Sequence, residues 1–256
     1  DQVLQAMTGM ARLQGKFDGE PEIVWGSVVD YFTSSMLAYA VTAALLEREK
    51  TGVGQKISVS LLQSALAMQS ARMVWADGEA RDTNRDFRSL GTTAIYPTAD
   101  GWLYITTSAD HFWRAFCEIA GMKELGSDPR YDTTLKRAER SKELVPKIAQ
   151  ALKARSANEW ERLFGEHVPC AAVRGVEDVF DHPQVAAEQL VVTSRHPTLG
   201  SYRGIQFPVK FGGSPCSSPA AAPMPGEHSL AVLAEHQFTA AEIEELVRSG
   251  AVSIQE

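Results

Sequence analysis

The sequence predicts an α/β protein with more than one part, and three features carry that expectation. A long apolar helix over 31–50 is followed by an alternating strand, Lys56 to Ser60, and then by an apolar run with helical spacing, Leu61 to Val74. A charged, Gly-containing stretch with no apolar period, Asp77 to Ser89, breaks this pattern as a linker or exposed loop would. Beyond it lies a hairpin signal, Ala94 to Thr98 and Trp102 to Thr106 around Asp100-Gly101. The 256 residues, 44% of them hydrophobic, suffice for one large domain or two modest ones.

The remaining elements follow in order. Val3, Leu4, Met7 and Met10 have helical spacing; a polar loop over Gly15 to Pro21 and a short strand-like run, Ile23 to Trp25, come next. Asp30 stands where an N-cap would stand, and Gly52 suits a left-handed cap beyond Lys50. The Asp100-Gly101 pair suits a turn with positive φ. Helices are expected at 110–120, 133–154 and 157–165, the last opened by a capping box of Ser156 and Glu159. Cys170 to Val173 reads as a strand, Val176 to Phe180 as a short helix, His182-Pro183 as the start of a helix to Gln189, and Leu190 to Ser194 as a strand. Gly212 to Pro225 is rich in Pro, Ser, Gly and Ala, a poor core former and an expected irregular surface crossing. Thr239-Ala-Ala-Glu242 caps a final helix ending near Gly250.

Several chemistries are disfavoured. The net charge of -7 argues against a nucleic-acid surface, although a local basic pocket for one anionic ligand is compatible with it. Cys117, Cys170 and Cys216 are far apart and form no CxxC, which speaks against structural zinc or a disulfide framework and fits a reducing cytoplasm. The histidines at 111, 167, 182, 196, 228 and 236 show no HxH or HExxH spacing, so no metal site is expected. Tyr31 to Leu46 is shorter than a membrane span and is interrupted by Thr33, Ser34, Ser35 and Thr42; it reads as a buried helix, with no membrane partner. Tyr31, Trp25 and Trp75 read as core aromatics. Gly52-Val-Gly54 follows a helix and precedes a strand, the wrong order for a dinucleotide loop. His167 and Cys170 lack an orienting third group, and Cys170 reads as part of a buried strand. The sequence opens at Asp1 without Met and already in helical pattern, as a chain beginning inside a larger unit would.

Asp30 is the residue singled out for chemistry. Its ordinary role is an N-cap worth about 1 kcal/mol. Its sharper role is nucleophilic, because a helix N-terminus favours the ionised carboxylate, which can attack an activated acyl group.

Val29-Asp30-Tyr31, the apolar helix after it, and the segment Ala44 to Leu61 with Thr51-Gly-Val-Gly-Gln55 resemble the family III CoA-transferases. That family is also called CaiB/BaiF and includes formyl-CoA transferase, carnitine CoA-transferase and α-methylacyl-CoA racemase. Further matches follow in order at Tyr96 to Gly101, Ser127 to Arg130, Val168 to Val173, Asp181 to Val185, His196 to Gly200 and Pro225 to His228. The resemblance implies that Asp30 is the nucleophile and passes through an aspartyl-CoA thioester. It implies that Leu61 lines the CoA pantetheine, with coenzyme A or acyl-CoA as substrate, a small carboxylic acid as its partner and no tightly bound cofactor.

The implied architecture is a Rossmann-like large domain, here partial (residues 1–76), and a linker (77–90). A smaller α+β domain (91–175) follows, and then a C-terminal segment (176–256) returning to the large domain. Two such chains would interlock as a homodimer. Relative to the family pattern, an N-terminal portion with most CoA-binding residues lies before Asp1. Asn84 to Gly91 departs from the Gly-rich loop of some transferases. Asp110 falls near a position where racemases use a glutamate, but Ser108 to His111 looks more like the transferase version. Two alternatives accompany transfer: racemisation, with Asp30 as one of an acid/base pair at the α-carbon, and a non-catalytic fragment that binds a companion chain.

Overall fold

The computed structural model describes residues 1–14, 20–70, 73–74, 76–78, 91–196, 198–213 and 221–254. Trp75, Cys216, most of the expected loop 15–21 and most of the linker 77–90 lie outside the described residues, as do Asn84 to Leu90 and the centre of the crossing 212–225. The chain divides into two compact units, Asp1–Val173 and Arg174–Glu256. Helices and strands are mixed, as an α/β protein requires.

The first unit begins with helices α1 (Gln2–Met7) and α2 (Met10–Leu13), joined through Gly9 in the left-handed conformation. Helix α3 (Val28–Thr51) follows and ends on Gly52 at φ 73°, the left-handed cap expected from the sequence. Helix α4 (Leu61–Ala67) is capped by Ser60, whose hydroxyl accepts from the Gln63 N–H. A small core of Met10, Val29 and Ala65, with Leu4, Val28 and Leu61 packed on it, joins these helices. Neither the run 23–25 nor the alternating run 56–60 forms a sheet strand. The alternation in 56–60 reports an extended backbone, but a strand also needs a neighbour to take its N–H and C=O groups.

Helix α3 corrects three expectations. It starts at Val28 rather than Tyr31, and at 24 residues it is long and apolar enough to cross a membrane by length and composition alone. It is also largely uncovered: Val29 is its one buried residue, while Tyr31 is 72% exposed and Leu37, Tyr39 and Leu46 are open. Trp25, in the segment before it, is 84% exposed, so neither aromatic is a core residue here. The reason is geometric. A 24-residue helix is about 36 Å long, and α1, α2 and α4 cover only its first turns. The hydroxyls of Thr33, Ser34, Ser35, Thr42 and Thr51 each donate to the carbonyl four residues back, which satisfies them inside an apolar stretch.

The second half of this unit is built on an antiparallel sheet in the order β1 (Ala94–Pro97), β2 (Trp102–Ile105), β3 (Cys170–Ala172). Tyr96 pairs with Leu103, and both point into a core shared with Ile105, Trp113, Phe116, Leu144, Ile148, Trp160 and Phe164. That core comes from helices α5 (Asp110–Ile119), α8 (Ser141–Leu152) and α9 (Ala157–Phe164). Between α5 and α8 lie the short helices α6 (Lys123–Ser127) and α7 (Thr134–Glu139). The single helix expected over 133–154 therefore breaks at Arg140, which ends α7 and opens α8.

The β1–β2 turn also departs from expectation. Four residues separate Pro97 from Trp102, and neither Asp100 nor Gly101 takes a positive φ. A two-residue turn needs positive φ to match the strand twist, whereas a longer loop does not. Asp100 instead accepts from the Ala157 N–H at 2.9 Å, tying the hairpin to the start of α9, whose Ser156–Glu159 capping box forms as expected.

The second unit contains α10 (Val176–Val179), α11 (Pro183–Ala187), the antiparallel pair β4 (Val191–His196) and β5 (Gly200–Ile205), then α12 (Ser229–Glu235) and α13 (Ala240–Arg248). Two of its histidines are structural acceptors. His182 Nδ1 takes the Gln184 N–H at the head of α11, and His196 Nδ1 takes the N–H groups of Thr198 and Leu199 in the β4–β5 turn. Thr239 and Glu242 form the expected capping box on α13.

Candidate active site

A helix opens with N–H groups that have no partner within the helix, and some other group must take them. For α3 the sequence suggests Asp30, but the structure gives that task to Asp1. Asp1 Oδ2 accepts from the N–H of Val29 at 2.6 Å and from the N–H of Asp30 at 3.2 Å. Ser27 occupies the N-cap position without a side-chain cap bond. Gln5, fully buried, holds the arrangement in register. Its Nε2 donates to Asp1 Oδ1 and to the Val24 carbonyl at 3.0 Å, and its Oε1 accepts from the Val24 N–H at 2.8 Å. Helix α1 thus grips both the segment leading into α3 and the first turn of α3.

Asp30 is consequently a first-turn residue and not a cap. Its side chain is 42% exposed, and Oδ1 lies 3.9 Å from the Asp1 backbone nitrogen. Among the described residues no hydrogen bond is made to its carboxylate oxygens. Leu61, the first residue of α4, is partly buried in the same small core as Val28 and Val29. Leu61 thus packs with Val29, the residue that precedes Asp30 in the chain, although their sequence separation gives no hint of it. Asp1 and Gln5 escaped sequence reasoning. Their only local signal is an acid and an amide four apart at the head of a helix, and their partners lie 19 to 29 residues away.

The thiols are unsuited to nucleophilic work. Burial pushes Cys117 up to about 12, and burial with the nearby Glu161 charge pushes Cys170 up to about 11, so both are protonated at neutral pH. Asp110 opens α5 and is held by Arg137, which has no solvent exposure. Among the described residues no cluster of three metal-ligating side chains occurs.

The sequence matches the model of CoA-transferase family III over residues 1–229. It is 28% identical to succinyl-CoA:glutarate CoA-transferase of Mus musculus over 98% of this chain and 59% of that protein. It is 30% identical to acetyl-CoA:oxalate CoA-transferase of Acetobacter aceti over 76% of this chain and 51% of that protein. The chain thus spans between half and three-fifths of the length of these two relatives. A CAIB/BAIF family protein from Brucella suis shares the fold at a TM-score of 0.75, with 24% identity over 92% of this chain and 62% of that one. Rv3272 from M. tuberculosis superposes with a TM-score of 0.74 at 25% identity, over 90% of this chain and 62% of that one. The family match takes in Asp1, Asp30, Leu61, the whole first unit and the second unit as far as Ser229, and the chain belongs to CoA-transferase family III.

Proposed function

We propose that the protein containing this chain transfers coenzyme A from an acyl-CoA to a small carboxylic acid, with Asp30 as the nucleophile. One observation carries the reading: in a chain of this family, the first turn of an apolar helix presents a carboxylate that is partly exposed and whose helix-capping task is performed by another residue. Such a group is accessible to a thioester and spends no lone pair on its own backbone. The relatives named for succinyl, glutarate and oxalate support a short carboxylic acid as acceptor.

The steps balance as follows. An Asp30 oxygen attacks the thioester carbonyl, the C–S bond breaks, and CoA leaves as thiolate from a mixed anhydride. The thiolate attacks the Asp30 carbonyl carbon, expels the donor carboxylate and forms an aspartyl-CoA thioester. The acceptor carboxylate attacks that thioester, giving a second anhydride and the thiolate again. Attack by the thiolate on the acceptor acyl carbon yields the new acyl-CoA and restores Asp30. Dividing one acyl exchange into such steps lowers each barrier. Leu61, beside the Val28–Val29 cluster, would contribute apolar surface to the pantetheine arm. A homodimer is part of the same reading, and the uncovered apolar length of α3 favours a further layer on it.

Hydroxylamine added during turnover tests the mechanism. An aspartyl hydroxamate located at Asp30 by peptide mass mapping is the expected product. Steady transfer with no modification of that peptide would overturn the reading, and proton exchange at the α-carbon without transfer would point to racemisation.

A further inference from the structure

We propose that Trp25 lines the space for the acyl group carried on Asp30, and that it selects a monocarboxylic acid with an apolar carbon chain over a dicarboxylic acid. The proposal rests on the nucleophilic reading of Asp30 given above.

The backbone around Trp25 is pinned while its ring stands open. Gln5 bonds Val24 twice, donating from Nε2 to its carbonyl at 3.0 Å and accepting its N–H at Oε1 at 2.8 Å. Gln2 Nε2 donates to the Gly26 carbonyl at 3.3 Å. Gly26 takes φ +109°, a conformation that side chains rarely adopt, so glycine fixes the turn after Trp25. Between these held neighbours the Trp25 residue is 84% exposed. An aromatic ring on such a backbone gives up little conformational freedom when a ligand packs against it.

Asp30 meets the same end of α1. A helical side chain leans toward the N-terminus of its own helix, and Asp30 Oδ1 lies 3.9 Å from the Asp1 backbone nitrogen, next to Gln2 in the chain. The carboxylate and the segment 24–26 therefore converge on the head of α1. An acyl group joined to an Asp30 oxygen extends from that point, beside the segment that carries the indole.

The charges of the surrounding elements decide the class of acid. Over the described residues 1–13, 20–46 and 61–67, the acidic side chains are Asp1, Glu20, Glu22 and Asp30. The one basic side chain in these segments is Arg12, in the last turn of α2. A second carboxylate on the bound acid would meet acids rather than cations, and a charge taken from water without a partner is costly. An alkyl chain loses nothing of that kind and leaves water against the indole. The relatives named for glutarate and oxalate handle acids with two carboxyl groups, and the reading for this chain departs from theirs.

The test is isotope exchange between a labelled acid and its own CoA thioester, catalysed by the intact enzyme. No other donor is needed, because Asp30 receives and returns the same acyl group. Pentanoate and glutarate have equal chain length and differ in a terminal methyl against a carboxylate. The parent should exchange pentanoate with a kcat/KM about tenfold or more above that for glutarate. Trp25→Ala should lower the pentanoate value by about tenfold, the scale of leaving two methylenes uncovered, with glutarate kept within about threefold. Trp25→Phe, which keeps an aromatic face, should hold pentanoate within about threefold of the parent. Trp25→Arg, which supplies a cation, should reverse the order of the two acids.

Four outcomes overturn the proposal: a parent enzyme that prefers glutarate, one that exchanges neither acid, a Trp25→Ala enzyme with an unchanged ratio of pentanoate to glutarate, or a Trp25→Ala protein that does not fold, which would show the indole to be covered in the intact protein. Failure of the underlying nucleophile reading is seen separately, as the absence of an Asp30 hydroxamate in a parent enzyme that still exchanges acid.

Discussion

Arg137 Nη2 lies 2.9 Å from Asp110 Oδ1, and the two partners stand in opposite surroundings, the arginine without solvent exposure and the aspartate about half open. The guanidinium also donates to the carbonyls of Tyr131, Thr107 and Ser108, so it pins the loop that opens α5 to the segment before α7. Its cation faces the Trp113 ring at 5.6 Å. Removing it takes the guanidinium donor from the buried carbonyls of Tyr131 and Thr107, while the Ser108 carbonyl keeps the Thr134 hydroxyl. Arg137→Met should therefore cost about 2–4 kcal/mol through the orphaned carbonyls, and Arg137→Lys should recover little, since an ammonium cannot reproduce the planar fork. Asp110→Asn keeps a hydrogen-bond acceptor but leaves the fully buried guanidinium without its counter-charge, and should cost about 3 kcal/mol. Urea unfolding measures all three, and a lysine variant as stable as the parent would contradict the assignment.

Gly91 packs where no side chain fits. A Cβ there would stand 2.5 Å from Ala138 Cα, and its φ of +77° is left-handed. Gly91→Ala should destabilise by about 2–4 kcal/mol, the sum of backbone strain and a contact with main chain that cannot yield. Gly9→Ala, at φ +81° in open space, carries the strain alone and should cost about 1 kcal/mol. Equal losses at the two sites would show that the close approach to Ala138 has no energetic weight.

Asp30→Ala should abolish transfer, by about a thousandfold or more, while the melting temperature and CoA affinity change little. The carboxylate is about half exposed and caps nothing, so its loss has little structural cost to register. Isothermal titration with CoA alongside turnover assays separates the two effects. Retained turnover in a folded Asp30→Ala protein would remove Asp30 from the chemistry.

Stability should fall at alkaline pH. Burial raises Cys117 from 9.0 to about 12 and Cys170 from 9.0 to about 11, and it also raises the Tyr96 phenol above its ordinary 10.0. Each group keeps its proton in the folded state after the unfolded chain has lost it, so the unfolded state binds fewer protons. Its stabilising share is complete below pH 9 and is lost as pH rises through the folded values. Denaturation midpoints should be insensitive to these groups up to about pH 8 and decline above pH 9. Cys117→Ala should make that decline shallower; an unchanged slope would count against the buried thiol as a contributor.

Local physics was legible in the residues alone wherever neighbours in sequence are also neighbours in space. The capping boxes at Ser156–Glu159 and Thr239–Glu242, the left-handed Gly52 and the Ala94–Ile105 hairpin are of this kind, since each closes its own hydrogen bonds within a few residues. The family, too, could be read from ordered motifs around Asp30 and Gly52. Tertiary structure alone decided which residue caps α3, because Asp1 lies 28 and 29 residues from the N–H groups it accepts from and only folding brings it to them. It likewise decided that Tyr31 and Trp25 are exposed and that 56–60 pairs with no strand among the described residues. Apolar character and alternation state what a segment is able to bury or pair, and whether it does so depends on which other elements reach it.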